Sequence, residues 1–337
     1  MSFRKDNTIR NRSISKLNAA ACAAIALLSL SAGCNKGDSE VLTIFHAGSL
    51  SVPLREISEL FVKEHPHITV QAEAAGSRDS ARKISDLGRS CDIMASADYN
   101  VVAQLLMPGH ADFNILFASN EMAIGYVGKS RMAAEISPSN WYDILLADDV
   151  AVGRADPNRD PCGYRSLMVC QLAEKHYGVP GLSKQLSTRS EKYIRPKETD
   201  LLALLESGEI DYIFIYRSVA QQHRLKTILL PDEINLKRSD LAHIYNTATV
   251  TLTGAEPGAF ATLKGEAMVY SVTIPRNASN RDAAEKWIQL LLSPRGRAIM
   301  QKNGQPWSGL ALVDGFDHLP ESIMPFCADI QRAETSR

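Results

Sequence analysis

The sequence predicts an α/β protein of two lobes, built on mostly parallel sheets with a cleft between them. Three observations carry this. Apolar runs of strand type alternate with amphipathic helical runs, and Gly/Ser turns separate several of the pairs. The chain after its N-terminal leader holds about 300 residues, beyond the size at which one core usually splits. Apolar strands at residues 122–127 and 268–274 bracket a central block with its own strand and helix alternation, so the chain leaves one lobe, builds a second and returns.

Residues 1–33 read as an export signal. Arg4, Lys5, Arg10, Arg12 and Lys16 precede an apolar run over residues 17–30 that is short for a bilayer span. Ser31, Ala32 and Gly33 then lead to Cys34, which resembles a bacterial lipoprotein processing site, although Ser31 stands where such sites usually carry a large aliphatic residue. Lipidation of Cys34 would anchor an exported soluble domain to the membrane through a polar tether, residues 34–40. Loss of the leader removes five cations and one anion, which moves the formal net charge from −1 to about −5. That charge argues against a nucleic-acid partner.

The first lobe is expected over residues 41–122 and 268–314. Residues 41–46 form its first strand, and Ala47, Gly48 and Ser49 turn into a helix over residues 51–65, with Pro53 in its first turn and Leu54, Ile57 and Phe61 on one face. Residues 68–72 form the next strand. Ala75, Gly76 and Ser77 turn into a helix carrying Ile84 and Leu87, and residues 92–95 form a third strand. Helices at residues 281–292 and 295–302 complete this lobe, and residues 315–337 are expected as a tail. Strands followed by Gly/Ser turns and helices place the functional loops at the carboxyl ends of the strands.

The second lobe, residues 123–267, holds strands at 150–153, 212–216 and 227–230 and a helix at 199–207. Its most telling stretch is ADPNRDPCGYRSLM, residues 155–168. Asp160 stands at an N-cap position, and Pro161 occupies the first helical position, where a missing N–H costs nothing. A helix mouth suits an anion. Four cysteines follow Cys34: Cys91, Cys162, Cys170 and Cys327. Cys162 and Cys170 stand eight apart on one helix, about 12 Å along its axis, and so cannot bridge each other. His65 and His67 flank Pro66 in a loop, and no CxxC or HExxH spacing occurs.

The segments FHAGSL (45–50), AAGSRDSARKI (74–84), DIMASADY (92–99), DPNRDPCGYRSLM (156–168), RPKETDLLALLESGEIDYIFIYRSVAQQH (195–223) and LLPDEINL (229–236) run through nearly all of the mature chain. Together they resemble the tungstate/molybdate-binding branch of the ABC importer solute-binding proteins. The resemblance implies a type II periplasmic binding-protein fold without cofactor or catalysis, and a monomer that captures the oxyanion and delivers it to a permease driven by an ATPase. It also implies roles for particular residues. Ser49, Ser77 and Tyr216 fall on hydroxyl donors to the oxyanion, Ser49 and Ser77 each with neighbouring helix-start amides, and Cys162 falls on a backbone contact. Asp160 and Glu198 fall on two carboxylates that bind the metal centre, with Asp156 one turn from Asp160 as the competing choice.

The residues support that chemistry on their own terms. Hydroxyls and backbone amides can hold a divalent oxyanion without a full positive charge, because the ligand's charge strengthens each hydrogen bond. Two carboxylates would repel sulfate or phosphate, whereas a large high-valent metal centre can accept them as additional oxygen ligands. Helix capping alone also favours Ser, Asp and Glu at such positions, and Arg78, Asp79, Arg165, Arg195 and Lys197 read as helix-face, cleft-rim or solvated residues. Three other readings stand beside this one. The same fold could take sulfate, phosphate or ferric iron, the last through Tyr212 and Tyr216. A serine hydrolase could pair Ser49 with His46, though the GxSxG elbow is missing. A calcium loop over Asp156, Asn158 and Asp160 fails at its sixth position, Pro161, and at its twelfth, Leu167.

Overall fold

The first element is β1 (Glu40–Ala47), whose second half is buried, and a 3-10 turn over Gly48–Leu50 passes it into α1 (Ser51–Glu64). Pro53, Leu54, Ile57 and Phe61 form the buried face of α1, the stripe expected of an amphipathic helix on a sheet. The computed structural model describes residues 40–331; the leader, Cys34, the rest of the tether and residues 332–337 lie outside them, and with them the export and lipidation expectations. β2 (Ile68–Ala75), α2 (Ser77–Ser85), β3 (Ile93–Ser96) and α3 (Tyr99–Leu105) repeat the strand and helix unit. Ile84 is buried as its spacing requires. Leu87, expected on the same helix, lies beyond the end of α2 and is 71% exposed. β4 (Asn114–Ser119) follows, an apolar strand that the sequence reading passed over.

Asn120 and Glu121 carry the chain into a second sheet. It is built from β5 (Met122–Tyr126), α4 (Trp141–Leu146), β6 (Val152–Ala155), α5 (Pro161–Tyr177), α6 (Leu182–Arg189) and β7 (Tyr193–Arg195). A 3-10 turn at Glu198–Asp200 then runs into α7 (Leu201–Ser207), followed by β8 (Tyr212–Tyr216), α8 (Arg217–Gln222) and β9 (Lys226–Leu229). A short α9 (Ala242–Tyr245) leads to a hairpin of β10 (Thr249–Thr253) and β11 (Phe260–Lys264), and β12 (Val269–Thr273) rejoins the first sheet. α10 (Arg281–Leu292), α11 (Pro294–Lys302), β13 (Ala311–Asp314) and β14 (Cys327–Asp329) complete the described chain. The stretch expected as a tail therefore adds an edge strand, because β14 pairs parallel to β13 with Cys327 buried.

The first sheet has the order β14-β13-β4-β12-β3-β1-β2 and the second β7-β6-β8-β5-β9. Pairing is parallel in the parts with strand–helix alternation, β3–β1–β2 and β7–β6–β8, and antiparallel where β4, β5, β9 and β12 join. In each parallel part the earliest strand is central, with its successors on opposite sides. Such a reversal opens a crevice at the carboxyl ends of the central strands, here β1 and β6. One large apolar core spans both sheets, and a smaller cluster around Phe45, Ile84, Met94 and Val102 seats α2 and α3. Cys91, Cys162, Cys170 and Cys327 are all buried free thiols. Among the described residues no helix is long and apolar enough to cross a membrane.

Candidate functional site

The carboxyl end of β1 places Ser49 in a buried 3-10 turn, and the carboxyl end of β2 places Ser77 at the first position of α2. Each hydroxyl is held from behind by a donor. Tyr270 Oη donates to Ser49 Oγ at 3.0 Å, and the Ala97 amide donates to Ser77 Oγ at 2.9 Å. On the second sheet, Tyr216 ends β8, and its Oη accepts from Arg165 Nη1 at 3.0 Å. A hydroxyl that already accepts one hydrogen bond keeps its own proton for a further acceptor. Each of the three hydroxyls thus keeps a proton to donate.

The carboxylates come from two helix starts on the second sheet. Asp160 caps α5, with Oδ1 accepting the Cys162 amide at 2.7 Å, and Pro161 stands first in the helix as its sequence implies. Glu198 opens the 3-10 turn before α7 and is buried; the Asp160 carboxyl is its side-chain partner, and no other side chain donates to its oxygens. Burial first, and the charge of Glu198 second, push the Asp160 carboxyl well above the usual carboxylate range. Burial raises Glu198 as well. A buried carboxylate without a donor is costly. In the ligand-free site the raised Asp160 carboxyl keeps a proton that it can share with Glu198.

Two glycines show how closely the sheets approach. A Cβ on Gly48 would lie 3.2 and 3.3 Å from the Glu198 oxygens, and a Cβ on Gly76 would lie 2.3 Å from the Arg159 carbonyl oxygen and 3.2 Å from Asp160 Cβ. The amides of Arg78 and Asp79 donate across the cleft to Arg159 O at 3.1 and 3.3 Å. This narrows the expectation for the α2 mouth, because the Arg78 and Asp79 amides hold the facing backbone rather than lie open to an anion. Arg159 also pairs with Asp79 at 2.7 Å, and Arg82 reaches Gly254 O at 2.7 Å on the hairpin. The cleft is closed.

The contacts form a ring. Ser49 meets Tyr270, whose ring lies 6.2 Å from that of Tyr216; Tyr216 meets Arg165, which donates to Ala97 O at 2.7 Å; Ala97 holds Ser77. Gly76 then abuts Asp160, and Glu198 beside Asp160 abuts Gly48 next to Ser49. Ser49, Ser77, Asp160, Cys162, Glu198 and Tyr216 are all buried. Behind the ring, Asn120 Nδ2 donates to Tyr270 Oη at 2.8 Å and Gln305 Nε2 donates to Ser49 O at 3.0 Å.

A family model described as bacterial extracellular solute-binding protein matches residues 42–305. The chain belongs to this family. An uncharacterized solute-binding protein of Petrotoga mobilis is 52% identical over 266 residues, covering 79% of this chain and 83% of that protein. Proteins named molybdate/tungstate-binding protein WtpA are 40% identical in Pyrococcus abyssi (89% of this chain, 96% of that one) and 39% identical in Thermococcus kodakarensis (89% and 94%). Among solved structures, the sulfate-binding protein SubI of Mycobacterium tuberculosis matches with a TM-score of 0.57 at 13% identity, covering 79% of this chain and 86% of that chain. The periplasmic molybdate-binding protein of Azotobacter vinelandii matches with a TM-score of 0.56 at 16% identity, covering 80% and 100%. Those two likenesses are of fold, the two-lobed α/β binding-protein architecture.

Within this solute-binding protein, the structure brings Ser49, Ser77, Tyr216, Asp160 and Glu198 together and separates the competing candidates. Asp156 is partly exposed and its Oδ1 accepts the Asn158 amide, one turn away from the buried Asp160. The Cys162 amide, expected as a backbone contact to the oxyanion, is instead taken by the Asp160 cap, and its thiol faces Phe214 O at 3.7 Å. His46 Nδ1 donates to Ala47 O at 2.8 Å while Ser49 Oγ is held by Tyr270, so the two do not form a nucleophile and base pair. Tyr212 donates to Arg131 O at 2.5 Å, at the opposite end of β8 from Tyr216. Arg195 and Lys197 stay with their own neighbours, Ile194 O and Asp200.

Arg165 and Arg78, read as face or rim residues, are buried. Arg165 donates to Tyr216 Oη, and Arg78 Nε donates to Asn158 O at 3.0 Å across the cleft. Tyr270, Asn120 and Gln305 were not singled out. No motif marks them, and a register irregularity at Tyr270/Ser271 in β12 separates Tyr270 from a regular strand alternation.

Proposed function

We propose that this solute-binding protein captures tungstate or molybdate in the closed cleft and hands it to an ABC permease coupled to an ATPase, tethered to the membrane by lipidated Cys34. The observation that carries the choice of ligand is the buried Asp160–Glu198 carboxyl pair, with the Ser49 and Ser77 hydroxyls across the cleft and the Tyr216 hydroxyl on its own side. Hydroxyl donors alone would suit any tetrahedral dianion. The carboxylate pair repels sulfate and phosphate, and it fits a metal centre that accepts two more oxygen ligands, making the bound oxyanion six-coordinate. The names of the relatives in Pyrococcus abyssi and Thermococcus kodakarensis support the same ligand class.

Ser49, Ser77 and Tyr216 would hold the oxo groups, and Asp160 and Glu198 the metal. Closure buries the anion, and the closed form is the one a permease would accept. Calorimetric titration of the chain from Asn35 onward with tungstate, molybdate, sulfate and phosphate tests the reading. One-to-one binding of the first two and silence from the others is expected. Sulfate or phosphate binding with tungstate excluded would overturn it.

A further inference from the structure

Arg165 stands on α5 of the second sheet, yet its guanidinium reaches in two directions. Nη1 donates to Tyr216 Oη at 3.0 Å on its own side and to Ala97 O at 2.7 Å on the first sheet's side, and Nη2 pairs with Asp98 Oδ2 at 3.0 Å, also across the cleft. Both members of the ion pair are at least 95% buried. Asp98 is fully engaged: Oδ1 accepts the Asn100 amide at 2.9 Å as the cap of α3, and Oδ2 also accepts from Tyr164 Oη, a second residue of α5. Ala97 contributes on both sides, its carbonyl to Arg165 and its amide to Ser77 Oγ.

We infer that Arg165 and Asp98 form a cross-cleft latch that turns the Tyr216 hydroxyl proton toward the ligand when the lobes close. Opening the cleft breaks the bonds to Asp98 and Ala97 but leaves Arg165 beside Tyr216, free to turn away. In the closed form the guanidinium is pinned on three sides, so the phenol accepts behind and donates ahead. A planar donor fork fits this task better than an ammonium would. The inference rests on the oxyanion reading above only for the presence of an anion at Tyr216. Arg165 is a positioning residue: it acts on the ligand through Tyr216, and on the rate of release through Asp98.

The test is a double-mutant cycle on Arg165→Gln and Tyr216→Phe, titrated with whichever of tungstate, molybdate, sulfate and phosphate the wild type binds. Arg165→Gln is expected to weaken binding about tenfold, the worth of one charge-assisted bond. The double variant should lose no more than about threefold beyond the weaker single, the signature of residues acting as one unit. Losses that multiply, or an Arg165→Gln protein within about threefold of wild type, would overturn the inference. Asp98→Asn provides a second arm that keeps the α3 cap, since Asn caps as well as Asp. Stopped-flow tryptophan fluorescence should show release about tenfold faster with association unchanged. Slower association with unchanged release would equally sink the latch. Should the wild type prefer sulfate, the ligand assignment fails while the cycle still decides the latch.

Discussion

At the residue scale the site is a balance between groups that would rather be solvated. Glu198 is the clearest case, because the side-chain partner of its two buried oxygens is another carboxyl, that of Asp160. Replacement of such a group by an apolar one of similar size removes a desolvation cost, and function suffers instead. Glu198→Met should therefore raise the ligand-free stability by about 1 kcal/mol or more and abolish tungstate binding. Urea denaturation beside a titration checks both halves, and a destabilised variant would mean that the pairing with Asp160 outweighs that cost. Gly76 makes the opposite point. A methyl there would sit 2.3 Å from Arg159 O, a contact that exists only with the cleft closed. Gly76→Ala should weaken ligand binding by about tenfold or more and leave the melting temperature of the ligand-free protein nearly unchanged; a large loss of stability with normal affinity would contradict that.

At the scale of elements, the site is made by strand ends and helix starts, and one connection tunes it. Glu266, between β11 and β12, accepts from Tyr99 Oη at 2.8 Å and from Asn100 Nδ2, so it ties α3 to the end of the hairpin. Burial, and then the charge of Asp98, raise its carboxyl from 4.5 to about 7. The sign follows from which state holds the proton. Between pH 4.5 and 7 the folded protein keeps a proton that the unfolded chain gives up, so stability falls as pH rises through that window and levels off above it. Glu266→Gln should flatten the slope of the urea midpoint between pH 5 and 7 relative to wild type, leaving the part that Asp160 and Glu198 contribute in the same direction. An unaltered slope would show that Glu266 is ionised throughout.

At the scale of the whole molecule, two parallel strand sets, each with its earliest strand at the centre, point their carboxyl ends at one cleft. Closure is held by backbone and arginine contacts spread from the buried site to its exposed edge. Arg78 and Asp79 amides meet Arg159 O, Arg82 meets Gly254 O, and Arg165 meets Ala97 O and Asp98. These bonds are replaced by water when the cleft opens, so each stabilises closure only modestly. Under the proposed function the ligand would tip the equilibrium by bridging the Ser49 and Ser77 hydroxyls of one side to the carboxylates and Tyr216 of the other, the differential affinity that a two-state closure requires. The fold itself is shared with proteins named for sulfate and for molybdate, so the discrimination resides in the side chains at the strand ends.

The sequence by itself determined the local elements and the identity of the polar groups at their ends. β8 was legible to the residue, and so were the Asp160 cap with Pro161 behind it and the helix at Arg281–Leu292, because apolar period and capping chemistry are local. The serines after β1 and β2 were visible for the same reason. Tertiary structure decided what those groups meet. β4 and β14 gain their partners only from distant strands, and the α2 amides face a carbonyl supplied by the other side of the cleft. The choice of Asp160 over Asp156 is one of burial. The supports from Tyr270, Asn120 and Gln305 join residues up to 256 positions apart. Such pairings follow from the closure of two sheets on each other, and no spacing along the chain records them.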